Sequence, residues 1–397
     1  MSDTTAPRVL LAAPAKPTPP ASQMIVDVAR KYGVSPFAQF GQMIRLWMGQ
    51  HRLQFDEYYA NAVFRKDLAA EEKRQFVGEG GSRRLNNRLS PHRVTSLRPF
   101  VRNKVFYGAM MENLGFPTPR IQAVASHNRS FGTIPALREV EQIEQFLLND
   151  ARYPLFVKPE VGSGSVGSAL IVELDRETRE LVLSNGTRVD LRAFATEALE
   201  DYAEGFLFQD AVDQHSDLSD VAGRAVGTIR VVTVMADDEA PQVLYTLWKV
   251  PSPKAMSDNY WQDGSMLAEI DKTSGVLKQC RRGSGPDQEV LDTHPVSQKA
   301  FAGMQVPHWE EVLRLATSGH QLMPQFGVFG WDIGITQDGP MIIECNSNPH
   351  HMLYQLATGK GILNNDFAPI LKQVEDRSEE LRAEVKAAYV KHLKEQR

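Results

Sequence analysis

Residues Phe329 to Pro349 limit the fold more than any other stretch of this chain. Two apolar segments, Val328–Ile335 and Met341–Asn346, flank Asp338-Gly339, a dipeptide that closes tight antiparallel hairpins. Side chains alternate faces along a strand, so Glu344 and Asn346 share one face and Cys345 takes the other. Asp332, on the partner strand, lies near enough to share that face. Carboxylates sunk in strands this apolar need a partner. An Asp, a Glu and an Asn amide oxygen are hard ligands that suit Mg2+ held between protein and polyphosphate. The plainer alternative is a solvated polar face backed by a core cysteine.

A second segment, Pro154 to Gly167, is an apolar strand that ends in Lys158 and runs into a Gly/Ser loop. Glycines let backbone amides approach phosphate oxygens, and the lysine adds charge. The spacing is not that of a Walker A loop, and by itself the segment reads more readily as a plain flexible hairpin than as a phosphate loop. In a third segment, Gly227 to Met235, Arg230 interrupts an otherwise apolar strand, and a buried arginine needs an anion, whether a ligand or a structural carboxylate. Lys249 ends another apolar strand, and the polar loop Ser257-Asp258-Asn259-Tyr260 with Gly264-Ser265 is of the kind that shapes pockets. The basic run Arg83, Arg84, Arg88, His92, Arg93, Arg98, Arg102 and Lys104 is either a solvated face or a wall of an anion-binding cleft.

The 397 residues suggest two or three domains, and 42% apolar with 23% charged residues excludes a mainly disordered chain. A net charge of −5 argues against broad nucleic-acid binding, and two cysteines make no disulfide framework, so a cytoplasmic setting is expected. No stretch reaches the ~20 apolar residues of a membrane span. Residues 1–21, rich in Pro and Ala, read as a disordered tail and not as a signal peptide. Ser22 is the expected cap of the first helix. Apolar spacing of three and four predicts at least two helices over 24–64, punctuated by Gly33 and Ser35-Pro36. Gly78–Ser82 reads as a flexible turn. Helices are predicted over 104–114, 137–148, 192–203 and 309–322. Strands are predicted at Leu155–Lys158, Ala169–Glu173, Leu181–Leu183, Phe206–Gln209, Ile229–Met235, Gln242–Lys249 and Leu267–Ile270, besides the hairpin. This mixture is α+β and not a regular βαβ repeat. The tail from about Pro369 reads as a charged amphipathic helix packed on its own chain.

Taken together, these residues resemble the ATP-grasp superfamily. Lysine with glycine-rich loop, hinge strand, arginine strand and Asp…Glu-x-Asn come in its order, over roughly residues 100–365. Within it the chain looks most like the sugar-transfer-associated ATP-grasp group, on several features. These are the strand Gly227 to Thr233, the loop Ser257 to Gly264, His294-Pro295, Val306-Pro307-x-Trp309, Gly330-Trp331-Asp332-Ile333 and a helical N-terminal region with Tyr58-Tyr59. Asn346-Ser347-x-Pro349 and Thr358-Gly359-Lys360 are also similar to ribosomal-protein glutamate ligases. The resemblance implies two α+β lobes that grip ATP with Mg2+, two ions in number, with Mn2+ the other candidate. Lys104 and Lys158 match the nucleotide lysines. Gly162, Ser163, Gly164, Ser165, Val166 and Gly167 match a mobile lid over the phosphates. Gln209, Asp210, Ala211 and Val212 sit where a hinge strand holds adenine, with Asp213 or His215 reaching the ribose. Arg230 faces the transferred phosphoryl group, with Lys249 and Asn259 beside it. Asp332, Glu344 and Asn346 match the metal ligands. The chain departs from the pattern in two places: the hinge reads Gln209-Asp210 where an acidic pair is usual, and His350-His351 follow Pro349 where a glycine is frequent.

The implied reaction is ATP-dependent ligation through an acyl-phosphate, releasing ADP and phosphate. A small carboxylate would be joined to an amine or hydroxyl nucleophile, an amino acid or a glycan or its precursor among the candidates. The rivals are an ATP-grasp kinase acting on a hydroxyl and a nucleotide-binding regulator without turnover. The expected organisation is a tail (1–21), a helical N-terminal region (22–98), the start of the ATP-grasp module (99–152), a lid subdomain (153–215), a catalytic subdomain (216–365) and a C-terminal helix (366–397). Oligomeric state stays open.

Overall fold

The computed structural model describes residues 21–92, 94–162, 166–252, 255–260 and 262–395. Fourteen strands run β1 Ile121–Ala125, β2 Ala136–Leu137, β3 Leu155–Pro159, β4 Ala169–Asp175, β5 Glu180–Leu183, β6 Arg188–Asp190, β7 Phe206–Asp210, β8 Ile229–Val234, β9 Gln242–Val250, β10 Met266–Ile270, β11 Leu277–Arg282, β12 Glu289–Leu291, β13 Val328–Thr336 and β14 Gly339–Asn346. The helices are α1 Ala21–Tyr32, α2 Pro36–Trp47, α3 Phe55–Ala60, α4 Ala70–Lys73, α5 Glu79–Leu89, α6 Arg98–Arg102, α7 Lys104–Asn113, α8 Val140–Gln145, α9 Leu191–Glu200, α10 Ser216–Ala222, α11 Trp309–Gln321, α12 Met352–Thr358 and α13 Ala368–Glu395.

The strands form two seven-stranded sheets, ordered β2-β1-β7-β3-β4-β5-β6 and β12-β11-β10-β9-β8-β13-β14. Among the described residues only β1 and β2 pair in parallel, which agrees with an α+β chain built from hairpins. In the first sheet Leu155, Val157, Phe206 and Phe208 pack under α8 and α9. The intervening side chains, Lys158 and Leu207 among them, point from the other face. The second sheet is covered on both sides. Trp248, Phe329, Trp331 and Ile333 meet α11 on one face, while Val232, Val234 and Leu247 meet α5, α12 and α13 on the other. A further apolar cluster holds α1, α2 and α3 together around Tyr58, Tyr59 and Phe64.

Several expectations need correction. Gly78–Ser82 is not a flexible turn: Gly78 caps α5 and the rest is its first turn. These glycines serve close packing, since a Cβ on Gly81 would collide with the His51 carbonyl oxygen. Ser22 lies inside α1 and not at its cap. Strands β1, β2, β6, β11 and β12 went unpredicted; β2, β6 and β12 have only two or three residues, and β11 carries Lys278, Arg281 and Arg282. The C-terminal helix packs on its own chain through Leu371 and Val374, but its later residues Val385 and Tyr389 are exposed. Residues 1–20 lie outside the described residues. Among the described residues no helix is long and apolar enough to cross a membrane.

Trp331 anchors the α11 side of the second sheet. It is fully buried, its indole N–H donates to Thr233 Oγ1 at 2.9 Å, and Gly319 of α11 lies against its ring. Trp331→Ala is expected to lower stability by about 3–5 kcal/mol, read as a lower urea midpoint at unchanged slope.

Candidate functional site

Strand register assembles the site. Asp332 is paired with Glu344 on β14 and with Arg230 on β8, and Arg230 is paired in turn with Leu247 on β9. Trp331, Ile333 and Cys345 point into the core under α11, so Asp332, Glu344 and Asn346 emerge on the opposite face. Trp248 and Val250 lie in the same core, which puts Lys249 on the emergent face with Arg230. The face reading of the hairpin therefore holds.

Arg230 grips Asp332 with two bonds, Nε to Oδ1 at 2.5 Å and a terminal nitrogen to Oδ2 at 2.9 Å. Lys249 Nζ bridges Asp332 Oδ2 at 3.1 Å and Asp258 Oδ2 at 3.0 Å. All three of Arg230, Lys249 and Asp332 are buried. Burial disfavours their charges, yet the opposite charges win: Asp332 is held below, and Arg230 and Lys249 above, their ordinary pKa values. The anion that the buried arginine demands is thus, in this state, a structural carboxylate.

The first sheet faces this cluster. Lys158 alternates with core residues Leu155 and Val157 and enters a cleft lined also by Lys104, Tyr107, Leu207, Gln209 and Glu344. Burial lowers its pKa to about 8, Glu344 pulling it up and Lys104 pushing it down. Lys104 opens α7, which Asn103 caps by accepting from the amides of Val105 and Phe106. Its ammonium donates to the Gly162 carbonyl at 3.2 Å and lies 3.7 Å from Glu344 Oε1. Four cations, Arg230, Lys249, Lys158 and Lys104, thus stand among three carboxylates, Asp332, Glu344 and Asp258, which leaves the cleft suited to an anion.

Of the glycine-rich loop, Ser163, Gly164 and Ser165 lie outside the described residues. Gly167 has φ +77 and sits so close to the Tyr202 ring that a side chain would collide with it. Val166 is exposed. At the hinge, Gln209 lines the cleft, whereas Asp210 turns to Arg152 (2.9 Å) and Gln122 (2.7 Å). The Asp210 and Ala211 amides donate within the chain, to Arg120 and Pro154. Val212 approaches Gly334, Asp213 is exposed, and the His215 ring caps α10 through the Asp217 amide. The Asn259 carbonyl closes the loop by accepting from the Gln262 amide and the Ser265 hydroxyl.

Sequence reasoning left unassigned what holds the exit of β14. Ser82 and Asn86, one turn apart on α5, reach the carbonyl of Pro349, and Asn86 also donates to Asn348 Oδ1 at 2.8 Å. Arg98 donates to the carbonyls of Ser347 and Ser90, both at 2.6 Å. His351 is fully buried; its Nε2–H donates to Asn86 Oδ1 at 2.9 Å and its Nδ1 accepts from Tyr245. Burial holds that imidazole down to about 3, so it is neutral and structural. The basic run is therefore neither one solvated face nor a cleft wall: Arg83 pairs with Glu79, Arg88 with Glu375, Arg98 is a backbone clamp, and only Lys104 enters the cleft. Arg93 lies outside the described residues. Ser82 and Asn86, spaced i and i+4 beside buried Leu85 and Leu89, were the available signal.

The donor chemistry fits a hard divalent ion. Asp332, Glu344 and Asn346 present oxygen-bearing side chains on one face of two adjacent strands, and Glu344 is a third exposed toward the cleft. No compact group of three or more His, Cys, Asp or Glu that could hold a metal ion occurs among the described residues.

Two substitutions test this electrostatic arrangement. Asp332→Ala strands two buried cations and should cost about 3–5 kcal/mol in chemical denaturation. Lys158, followed by NMR of labelled lysines, should titrate near pH 8. In Glu344→Gln its midpoint should fall, because the carboxylate that favours the ammonium is gone.

Comparison with known proteins adds three findings. The profile of a family described as sugar-transfer associated ATP-grasp matches residues 83–375. No curated protein sequence matches the chain. Among solved structures, D-alanine–D-alanine ligase from Bacillus anthracis aligns at 12% identity and a TM-score of 0.38, covering 72% of this chain and 69% of that one. The same ligase from Helicobacter pylori aligns at 12% identity and 0.41, covering 73% and 69%. Biotin carboxylase from Campylobacter jejuni aligns at 10% and 0.42, covering 80% of this chain and 52% of its own.

Proposed function

This chain belongs to the sugar-transfer associated ATP-grasp family, and on that premise we propose that it is an ADP-forming ligase that joins a carboxylate to an amine or hydroxyl nucleophile. The observation that carries the proposal is the pairing of Arg230 and Lys249 with Asp332 on one strand face, opposite Lys158 of the other sheet. This is a buried cationic centre between two lobes, of the kind phosphoryl transfer requires.

In this reading Lys104 and Lys158 hold the α- and β-phosphates, and the Gly162–Gly167 loop closes over them. Gln209 to Val212 face adenine, with Asp213 or His215 toward the ribose. Asp332, Glu344 and Asn346 would hold Mg2+, or Mn2+, two ions in number, which when bound offsets charge on the phosphate oxygens. Arg230 leaves part of its bond with Asp332 for the γ-phosphoryl group and offsets the charge that develops as the substrate carboxylate attacks phosphorus and ADP departs. Lys249 and Asn259 orient the resulting acyl-phosphate. The nucleophile attacks its carbonyl carbon, the phosphate leaves with the bonding pair, and the nucleophile's proton is released. The family's description points to a glycan or glycan precursor, or an amino acid joined to one, as substrate. Use of ATP and two buried free cysteines suit a cytoplasmic setting.

An ATP-consumption screen over amino acids and uronic acids, with product mass, tests the reading. With the true pair, ADP, phosphate and a new amide or ester should appear one for one, and hydroxylamine should trap the acyl-phosphate when the nucleophile is omitted. A stable phosphorylated product would favour a kinase, and AMP with pyrophosphate would remove the ligase reading. Glu344→Gln should lower turnover by about a hundredfold or more with the melting temperature preserved.

A further inference from the structure

Helix α2 has two apolar faces. One carries Gln39, Met43 and Leu46 and is buried against α1 and α3. The other should hold nothing apolar if the helix only served this fold, yet it carries Phe37, Phe40 and Trp47 at 92%, 54% and 47% exposure, continued by the C-capping Met48 at 54%. At 100° per residue these four fall within one sector, with half-buried Ile44 between them, and Phe55 of α3 extends the surface by meeting Phe40 edge-on at 6.4 Å. The exposed apolar area is on the order of 600 Å², at or above the largest patch of an ordinary soluble monomer.

The charge around this stripe identifies what covers it. The whole chain is acidic, at −5, but from Val28 to Phe55 it contains Arg30, Lys31, Arg45 and Arg52 and neither Asp nor Glu. Arg30, Arg45 and Arg52 are exposed, and the exposed Arg84 of α5 reaches over to the Gly49 carbonyl at 3.3 Å. Few acidic groups lie nearby: Asp27 bonds Gln23 on α1, Asp56 is exposed on α3 beside Phe55, and Glu57 on α3 is buried against the amides of Gln54 and Glu79. Aromatic and methionine side chains on one face with a border in which exposed arginines outnumber the single exposed Asp56 match the boundary layer of an anionic bilayer, where rings enter the acyl margin and guanidinium groups meet lipid phosphates. A second copy of the chain would bring a second basic border against the first.

We infer that the outer face of α2, from Phe37 to Met48 with Phe55, docks the protein on the surface of an anionic membrane. The docking is peripheral and does not depend on the ligase reading. It would place α5, whose Ser82 and Asn86 hold the exit of β14, on the membrane side of the site.

Flotation of the full chain with vesicles tests this. Protein should float with vesicles of phosphatidylcholine containing a quarter phosphatidylglycerol, about tenfold more than with phosphatidylcholine alone, and less as salt rises. The double variant Phe37→Ser/Trp47→Ser should lose at least tenfold of that binding, and Arg45→Glu several-fold, with melting temperatures unchanged. No flotation with anionic vesicles at moderate salt overturns the inference. So does equal binding to neutral vesicles, which would deny the role of charge. A dimer in solution that Phe37→Ser dissolves, without vesicle binding, overturns it in favour of a second copy.

Discussion

The site depends on one carboxylate. Asp332 sits on β13, the strand next to the β14 edge of a sheet covered on both faces, and it is the shared anion for Arg230 and Lys249. Without it, two cations on adjacent strands would face each other at low dielectric. With it, they are held in place beside Glu344 and Asn346, and the charge they carry is available when a stronger anion enters. The same pairing explains how β8 and β13 hold ionic side chains in segments that are otherwise apolar, since register brings Arg230 opposite Asp332; Glu344, opposite Asp332 on β14, is met by Lys104 from α7.

The helical N-terminal region is part of this arrangement. Ser82, Asn86 and Arg98 are buried, and each bonds backbone in the segment just after Asn346. The bonds run to carbonyls, which no side-chain change in that segment can alter, so the geometry of the β14 exit is set from outside its own lobe. His351 completes the link by joining Asn86 to Tyr245 on the second sheet. Buried, fully bonded polar chains of this kind define a single arrangement more sharply than apolar packing does.

Residues 328–349 were sufficient to fix a strand pair, its turn and the common face of Asp332, Glu344 and Asn346, because alternation and the Asp-Gly turn are local rules. Lys158 was legible as the charged end of an apolar strand, and Arg230, interrupting another, as a buried cation in need of an anion. These were legible because each is a property of one segment and its immediate neighbours in the chain.

What the anion is, and which residues stand behind it, only the tertiary structure decided. Asp332 lies 102 positions from Arg230, and Asn86 lies 263 from Pro349, distances at which no periodicity speaks. Asp258 read as one polar residue in a loop until the fold brought it to Lys249. The glycines at 78 and 81 looked like a turn, because a glycine needed for close approach is indistinguishable in sequence from one needed for a bend; only the His51 carbonyl beside Gly81 tells them apart. The second apolar face of α2 shows the same division. Its periodicity was legible, but which side meets the core is a matter of packing, and that left Phe37 in solvent.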